Sequence, residues 1–156
     1  MSCDKSDDAT GREESVEYIV HENSGLKISE NDFGTFVEVV DGDKLVFEYT
    51  FSKASDPVLA DSGLDKYLYF ELDANTEDFQ LTTNDFDVSN TYLRLSCFCP
   101  VTDFRRATSG EITAQKIGNL KWNISFDVAA DFTINEGEEE FSESIEFKDS
   151  GIFQPQ

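Results

Sequence analysis

Two cysteines separated by one residue are the first side chains in this sequence that could carry chemistry. Cys97 and Cys99 lie in the apolar stretch 92–100, on the strand face that also holds Leu93 and Leu95. Cysteine on such a face packs as a small hydrophobic side chain. A disulfide between them needs a local bend, because residues i and i+2 of an extended strand lie about 6.5–7 Å apart. We therefore expect buried thiols or a local disulfide; a redox centre would use Cys-x-x-Cys at a helix start, and a zinc site four ligands.

The chain contains one histidine, His21, and any Ser-His-acid or Cys-His catalytic arrangement would have to use it. His21 lies between Glu17 and Glu22 in a weakly patterned stretch, and the sequence has no Gly-x-Ser-x-Gly nucleophile motif. We expect a histidine that is satisfied at the surface, and a protein that is not an enzyme. A carbohydrate-active hydrolase with an Asp/Glu pair is the alternative, although no spacing singles out such a pair among 33 acidic residues.

Three acidic segments offer oxygen atoms that calcium could use, at residues 41–43, 73–78 and 85–87. None of them matches the twelve-residue calcium loop, which has ligands at alternate positions, a central glycine and a terminal glutamate. Solvated loops are the simpler interpretation, and no cofactor is expected. A calcium-stabilised adhesion module is kept as a further alternative, and no metal ligand is assigned.

Four aromatic residues are candidates for stacking on a sugar or contacting a partner: Tyr67, Tyr69, Tyr92 and Trp122. Tyr67 and Tyr69 alternate with Leu68, so they share one face of a strand. They would form a binding platform if that face were open to solvent. Packing of these rings in the core is the competing interpretation and the one we favour.

A two-residue hydrophobic period runs through the second half of the chain. In residues 120–128 every even position is large and apolar and every odd position is polar, which is typical of a strand with one buried face. Residues 111–115 and 141–147 repeat this alternation. Together they predict a three-stranded antiparallel meander with Trp122, Ile124 and Phe126 pointing into the core.

The first half predicts further strands and few helices. Strands are expected at 15–21, 34–40, 45–51, 65–72 and 92–100, and Asp41-Gly42 predicts a tight hairpin between the second and third of them. Residues 55–61 predict a helical turn or irregular loop, and 74–90 a long connection with one more short strand. The whole is an all-β domain at residues 16–156: an antiparallel β-sandwich (Ig-like or Greek key) of seven to nine strands, or alternatively a small lipocalin-like β-barrel.

Composition restricts the classes of partner. The 156 residues carry a net charge of −21, yet 14 Phe, 5 Tyr and 1 Trp supply enough apolar bulk for a folded core. An acidic surface repels phosphate backbones and anionic lipid headgroups, so we expect no nucleic-acid binding and no direct electrostatic docking to a membrane. A monomer that binds an envelope protein or a glycan is the expectation that remains.

The amino-terminal residues have the features of an attachment segment. Cys3 follows a small residue and precedes an acidic run, and residues 4–15 have no apolar periodicity, so residues 1–15 are expected to form a disordered tether. Cys3-Asp4-Lys5-Ser6-Asp7-Asp8 resembles the mature start of a bacterial lipoprotein and the acidic export signal of Bacteroidetes lipoproteins displayed on the cell surface. The alternative is a cytosolic protein with a cysteine near its start by chance.

Residues 45–147 also resemble a group of uncharacterised Bacteroidetes lipoproteins. The similarity lies in an aromatic strand at 45–49, an acidic turn after 69–73, the Cys97-Phe98-Cys99 element and a final Gly110-Glu111-Ile112-Thr113 segment. The group has no agreed activity, so the resemblance implies an all-β fold and a location only. That location is extracytoplasmic, on the outer membrane and at the cell surface, with a lipid on Cys3 as the membrane contact. The expected function is a non-catalytic, lipid-anchored binding protein of the cell envelope.

Overall fold

Ten antiparallel strands in two sheets account for most of the described residues, which are 13–54, 58, 63–97 and 103–156 of a computed structural model. The strands are β1 Glu14–Asn31, β2 Gly34–Asp41, β3 Lys44–Lys53, β4 Leu64–Asp73, β5 Phe79–Thr82, β6 Tyr92–Ser96, β7 Arg105–Arg106, β8 Ser109–Gly118, β9 Lys121–Glu136 and β10 Glu139–Phe153. The predicted all-β antiparallel class is confirmed. The described strands exceed the predicted seven to nine because β7, with two residues, is too short to show a periodicity.

Two sheets pack face to face around the main core. Sheet A has the strand order β2-β1-β3-β4-β6-β7, and sheet B has the order β10-β9-β8-β5. Aromatic rings fill the space between them: Phe47 stacks on Phe70 at a centroid distance of 4.8 Å and meets Trp122 edge-on at 5.2 Å. The alternation predicted for β9 is confirmed, since its even positions are buried: Trp122, Ile124, Phe126 and Val128.

Strands β8, β9 and β10 form the predicted meander, and they are longer than the alternation alone indicated. Leu120 does not belong to β9; it lies in the turn after β8 with a φ of 52°. The β9–β10 hairpin turns at Gly137 and Glu138. Beyond about Asp131 this hairpin extends past the core as an exposed, acidic two-stranded ribbon.

The hairpin predicted at Asp41-Gly42 is wrong, because β2 and β3 do not pair with each other. Both pair with β1, which lies between them. A bulge between His21 and Ser24 divides β1, so that its first half pairs with β3 and its second half pairs with β2. The Gly42 N–H donates to the Asn23 carbonyl at the bulge (3.0 Å), and Asp41-Gly42 leads the chain to the other side of β1. A local turn signal predicts a reversal of the chain but not which strand becomes the neighbour.

Sheet A curls into a half-barrel whose two edges meet at a short seam. Thr35 of β2 accepts a hydrogen bond from the Phe104 N–H (3.1 Å) and donates its own N–H to Asp103 Oδ2 (3.1 Å). Phe104 directly precedes β7, at the opposite edge of the sheet. The curl encloses a second apolar cluster formed by Val37, Tyr92 and Phe104, against which four partly buried residues pack: Leu26, Ile28, Tyr67 and Tyr69.

The predictions for the remaining elements are confirmed in part. β4 confirms the strand predicted at 65–72, and β5 is the short strand predicted within 74–90. The helical turn predicted at 55–61 lies outside the described residues apart from Val58, and so does the end of the strand predicted at 92–100. Residues 1–12, with Cys3 and most of the predicted tether, are likewise outside them, and β1 begins at Glu14. No helix in the described part of the chain is long and apolar enough to cross a membrane.

Glu71 is the one charged side chain that is buried among the described residues, with 5% of its surface exposed. Its carboxylate accepts three hydrogen bonds: from the Leu26 N–H (2.7 Å), Lys44 Nζ (3.0 Å) and Asn90 Nδ2 (2.7 Å). Burial by itself raises the pKa of this carboxyl, but these donors and the Lys44 charge outweigh burial and lower the pKa from its ordinary 4.5. Glu71 therefore connects the second half of β1 to β4 as an ionised group.

Replacing Glu71 with glutamine should destabilise the protein. All three partners donate, and an amide nitrogen cannot accept, so at least one buried donor loses its partner at a cost of about 1–3 kcal/mol. Urea denaturation at neutral pH measures this loss. The same change at Glu77, which is 76% exposed and pairs with Lys116, is the matched control and should change the free energy of unfolding by less than about 0.5 kcal/mol.

The difference in stability between the wild type and Glu71→Gln should also depend on pH. Because the pKa of Glu71 is lower in the folded state, its contribution is complete above 4.5 and is lost as the pH falls through the folded-state value. The free energies of unfolding of the wild type and of Glu71→Gln should therefore converge as the pH falls below 4.5. A difference in free energy of unfolding between the wild type and Glu71→Gln that is equally large in neutral and acid solution would contradict a lowered pKa for Glu71.

Replacing Gly34 with alanine should weaken the seam of the half-barrel. Gly34 has a φ of 122°, and a Cβ there would lie 2.6 Å from the Asp103 Cβ and Oδ2. Gly137→Ala is the matched control, since Gly137 also has a positive φ but a Cβ there meets nothing within 4 Å. Hydrogen exchange should show faster opening of the Phe104 amide in Gly34→Ala alone, and equal exchange in the two variants would refute a specific role for the seam.

Candidate functional site

The four candidate aromatic residues do not form an open platform. Trp122 is fully buried, and its Nε1 donates to the Glu77 carbonyl (2.9 Å). Tyr92 is 6% exposed beneath Arg106, whose guanidinium lies 4.9 Å from the ring centroid. These two side chains are part of the cores and offer no free ring face to a ligand.

Tyr67 and Tyr69 share one face of β4, as the alternation predicts, but that face lies inside the half-barrel. Their ring centroids lie 6.4 and 5.7 Å from that of Phe104. The hairpin of β1 and β2 covers the same face through Leu26 and Ile28. Both tyrosines are consequently half-buried and pack in the smaller core.

His21 belongs to a hydrogen-bonded group that links β1, β3 and β4. Its Nε2 lies 2.5 Å from Glu48 Oε2, and the Tyr69 hydroxyl donates to Glu48 Oε1 (3.1 Å). Burial, followed by the charge of Glu48, raises the pKa of Tyr69 well above its ordinary value, so this hydroxyl stays a donor. In the described part of the chain no serine, threonine or cysteine hydrogen-bonds to His21 in the manner of a catalytic triad. The group connects three strands of sheet A.

Cys97 follows β6 at a bend, is half-buried and is disulfide-bonded. The other two cysteines of the chain, Cys3 and Cys99, lie outside the described residues.

Carboxylates in two of the three acidic segments considered for calcium, 73–78 and 85–87, have partners within the protein. Asp78 Oδ1 accepts from the Lys116 N–H (2.8 Å), Asp85 Oδ2 accepts from the Thr82 N–H (2.8 Å), and Asp87 pairs with Arg106 (2.8 Å). Within the residues that the structure describes, no group of three or more His, Cys, Asp or Glu side chains could hold a metal ion. Calcium binding stays a prediction.

A concave surface lies on the outer face of sheet B. Two adjoining depressions of about 430 and 500 Å³ share Thr113 and Ser125. We call this surface the sheet B groove; its lining residues are Asp78, Phe79, Gln80, Glu111, Thr113, Ala114, Gln115, Asn123, Ser125, Phe126, Asp127, Lys148, Asp149 and Ser150. Because the buried positions of β8 and β9 are even-numbered, their odd-numbered side chains point to the outer face, and those at 111–115 and 123–127 line the groove.

Strand register arranges the groove side chains in rows that cross the sheet. One row consists of Gln80, Thr113, Ser125 and Ser150, each opposite the next. A second consists of Thr82, Glu111, Asp127 and Lys148, and a third of Gln115, Asn123 and Ile152. Four strands at about 4.8 Å separation give each full row a length of about 14 Å.

Several polar groups in the groove are available to a ligand. The side chains of Thr113, Gln115, Asn123 and Ser125 make no hydrogen bond to the protein within its described part. Lys148 lies 3.8 Å from Asp127, and both are mostly exposed, so this ion pair is loose. Gln80 donates to Glu111. Rigid strands hold these groups at fixed spacing, which is the arrangement that a binding site requires.

Sequence reasoning missed the groove, because polar residues at the odd positions of β8 and β9 are equally typical of an ordinary solvated face. A signal was nevertheless present: in a chain with 29% charged residues, four outward positions on neighbouring strands are uncharged amides or hydroxyls.

No known protein family, curated protein or solved structure is detectably similar to the chain. Its function therefore has to be argued from its own residues.

Proposed function

We propose that this protein is a non-catalytic binding protein of the cell envelope, attached through a lipid on Cys3, that holds its ligand in the sheet B groove. One observation carries the binding role: neighbouring strands bring amide and hydroxyl side chains that have no protein partner in the described part of the chain together in a concave surface. Ligand sites combine concavity with a few well-placed polar groups in this way.

The attachment has separate support. Cys3 and the acidic residues after it resemble a lipoprotein start, and a flexible spacer would keep the folded domain clear of lipid headgroups. The first described strand, β1, begins at Glu14 in sheet A, and the groove lies on the outer face of sheet B. The disulfide at Cys97 also suits an oxidising compartment.

A carbohydrate-active hydrolase is the second candidate, and the groove contains the residues that would favour it. Glu111 and Asp127 are directly opposite each other in the β8–β9 register, where like charges destabilise a sheet. Cross-strand neighbours are also close enough for the two carboxyls of a glycosidase pair. Both side chains, however, are exposed on an open face, whereas an active site encloses the bond that it cleaves. We therefore prefer binding without turnover.

Ligand binding should perturb the groove specifically. In two-dimensional NMR, a panel of oligosaccharides, peptides and envelope extracts should contain a component that shifts the amide signals of Thr113, Asn123 and Ser125. Asn123→Ala should weaken that binding, and Asn135→Ala, which alters another exposed asparagine of β9 beyond the groove, should not. Both variants should unfold within about 0.5 kcal/mol of the wild type.

Two results would overturn the binding role. If no component of the panel shifts groove signals, the groove is not a binding site. If a glycan is hydrolysed, and Glu111→Gln or Asp127→Asn abolishes the turnover, the protein is the hydrolase of the second candidate.

Lipid attachment should depend on Cys3. Cells that produce the full-length protein, grown with a clickable fatty-acid analogue, should label the wild type and not Cys3→Ala, because the thiol is the attachment atom. Cys97→Ala is a control for general loss of labelling and should retain the label. Label that persists in Cys3→Ala, or no label in the wild type, would remove the lipoprotein assignment and leave the groove experiment unaffected.

A further inference from the structure

We infer that the sheet B groove binds an uncharged oligosaccharide that lies across the four strands. This inference rests on the proposed function and adds the chemical class of the ligand. It follows from the hydrogen-bonding groups of the groove, from its charge and from the apolar side chains at its margin.

The hydrogen-bonding groups match neighbouring hydroxyls. The Gln115 and Asn123 amides, opposite each other in register, each offer a donor and an acceptor, and the next row adds the hydroxyls of Thr113 and Ser125. Sugar hydroxyls also donate and accept, so each can be satisfied by such a pair of groups. A lipid or another apolar ligand would leave all these groups without partners, which is unfavourable once they are covered.

The charge of the groove excludes acidic ligands. Four carboxylates line it, those of Asp78, Glu111, Asp127 and Asp149, against the single ammonium group of Lys148. A phosphate, sulfate or uronic acid would be repelled both here and by the net charge of −21. The carboxylates can still accept hydrogen bonds from neutral hydroxyls, and these charge-assisted bonds are stronger than neutral ones.

Two half-exposed isoleucines lie at the same end of the groove. Ile152 is 46% exposed and is opposite Asn123, and Ile117 is 47% exposed and follows Gln115 by two positions on β8. They offer apolar contact to the C–H groups of a sugar ring that is hydrogen-bonded at its edges. Two phenylalanines are among the lining residues, but their rings belong to the core: Phe126 is 2% exposed, and Phe79 packs edge-on against Phe47 and Phe70. Binding therefore depends mainly on the amide and hydroxyl groups, and a millimolar to micromolar dissociation constant is expected.

The test is an NMR titration of the whole chain with three sets of probes. Neutral gluco-, xylo- and manno-oligosaccharides form the first set, oligogalacturonates and sulfated oligosaccharides the second, and uncharged and basic peptides the third. At least one neutral oligosaccharide should shift the groove signals, with an affinity that changes less than twofold between low and high salt, because no ion pair forms. Asn123→Ala should weaken that binding about tenfold, Ile152→Ala by a smaller factor, and Asn135→Ala not at all.

The outcomes separate this inference from the function on which it rests. If an acidic oligosaccharide or a peptide occupies the groove and every neutral oligosaccharide fails, the ligand class is wrong and the binding role stands. If a neutral oligosaccharide binds with equal affinity to Asn123→Ala, the site is wrong. If no probe of any set shifts groove signals, the inference and the proposed binding role both fall.

Discussion

The buried carboxylate of Glu71 holds the second half of β1 across sheet A, and the form of the half-barrel depends on this contact. After the bulge at His21–Ser24, β1 leaves β3 and pairs on one side only, with β2. Its backbone groups on the other side need hydrogen-bond partners, and the Leu26 N–H donates to the Glu71 carboxylate. Lys44 offsets the charge of the same carboxylate and Asn90 donates a hydrogen bond to it, so three separate segments converge on one buried charge. Removal of that charge would leave at least one of these donors without its partner.

The closed form of the half-barrel determines which surfaces of the protein remain accessible to a ligand. The inner face of the half-barrel is filled by tyrosine rings, Phe104 and the hydrogen-bonded His21–Glu48 pair, and the space between the sheets is filled by Phe47, Trp122 and their neighbours. On the outer face of sheet B, by contrast, the side chains of Thr113, Gln115, Asn123 and Ser125 have no hydrogen-bonded protein partner within the described part of the chain. The described candidates that the sequence singled out are packed or hydrogen-bonded within the sheets instead: His21, Tyr67, Tyr69, Tyr92 and Trp122.

Sequence reasoning recovered the features that depend on local periodicity. The alternation at 120–128 correctly placed Trp122 in the core, and the all-β antiparallel class followed from its repetition. Pairing was less predictable: the Asp41-Gly42 signal is local, whereas the neighbours of β2 and β3 are decided by the bulge in β1 and by Glu71, far apart in sequence. The groove could not be predicted for a related reason. A period of two shows that a side chain points outward, but it does not show which outward side chains become neighbours on adjacent strands.

The composition of the groove is not explained by solubility alone. A water-facing strand needs only polar side chains, and this chain supplies them as carboxylates elsewhere: β10 carries exposed Glu139, Glu140, Glu143 and Glu146. In the groove, by contrast, amides and hydroxyls occupy the central rows, and the two carboxylates Glu111 and Asp127 are opposite each other, at a cost to the sheet. Lys148 offsets that cost only weakly through its loose ion pair. An unfavourable charge pair beside unpartnered amides is the pattern expected where binding, rather than stability, determines the residues.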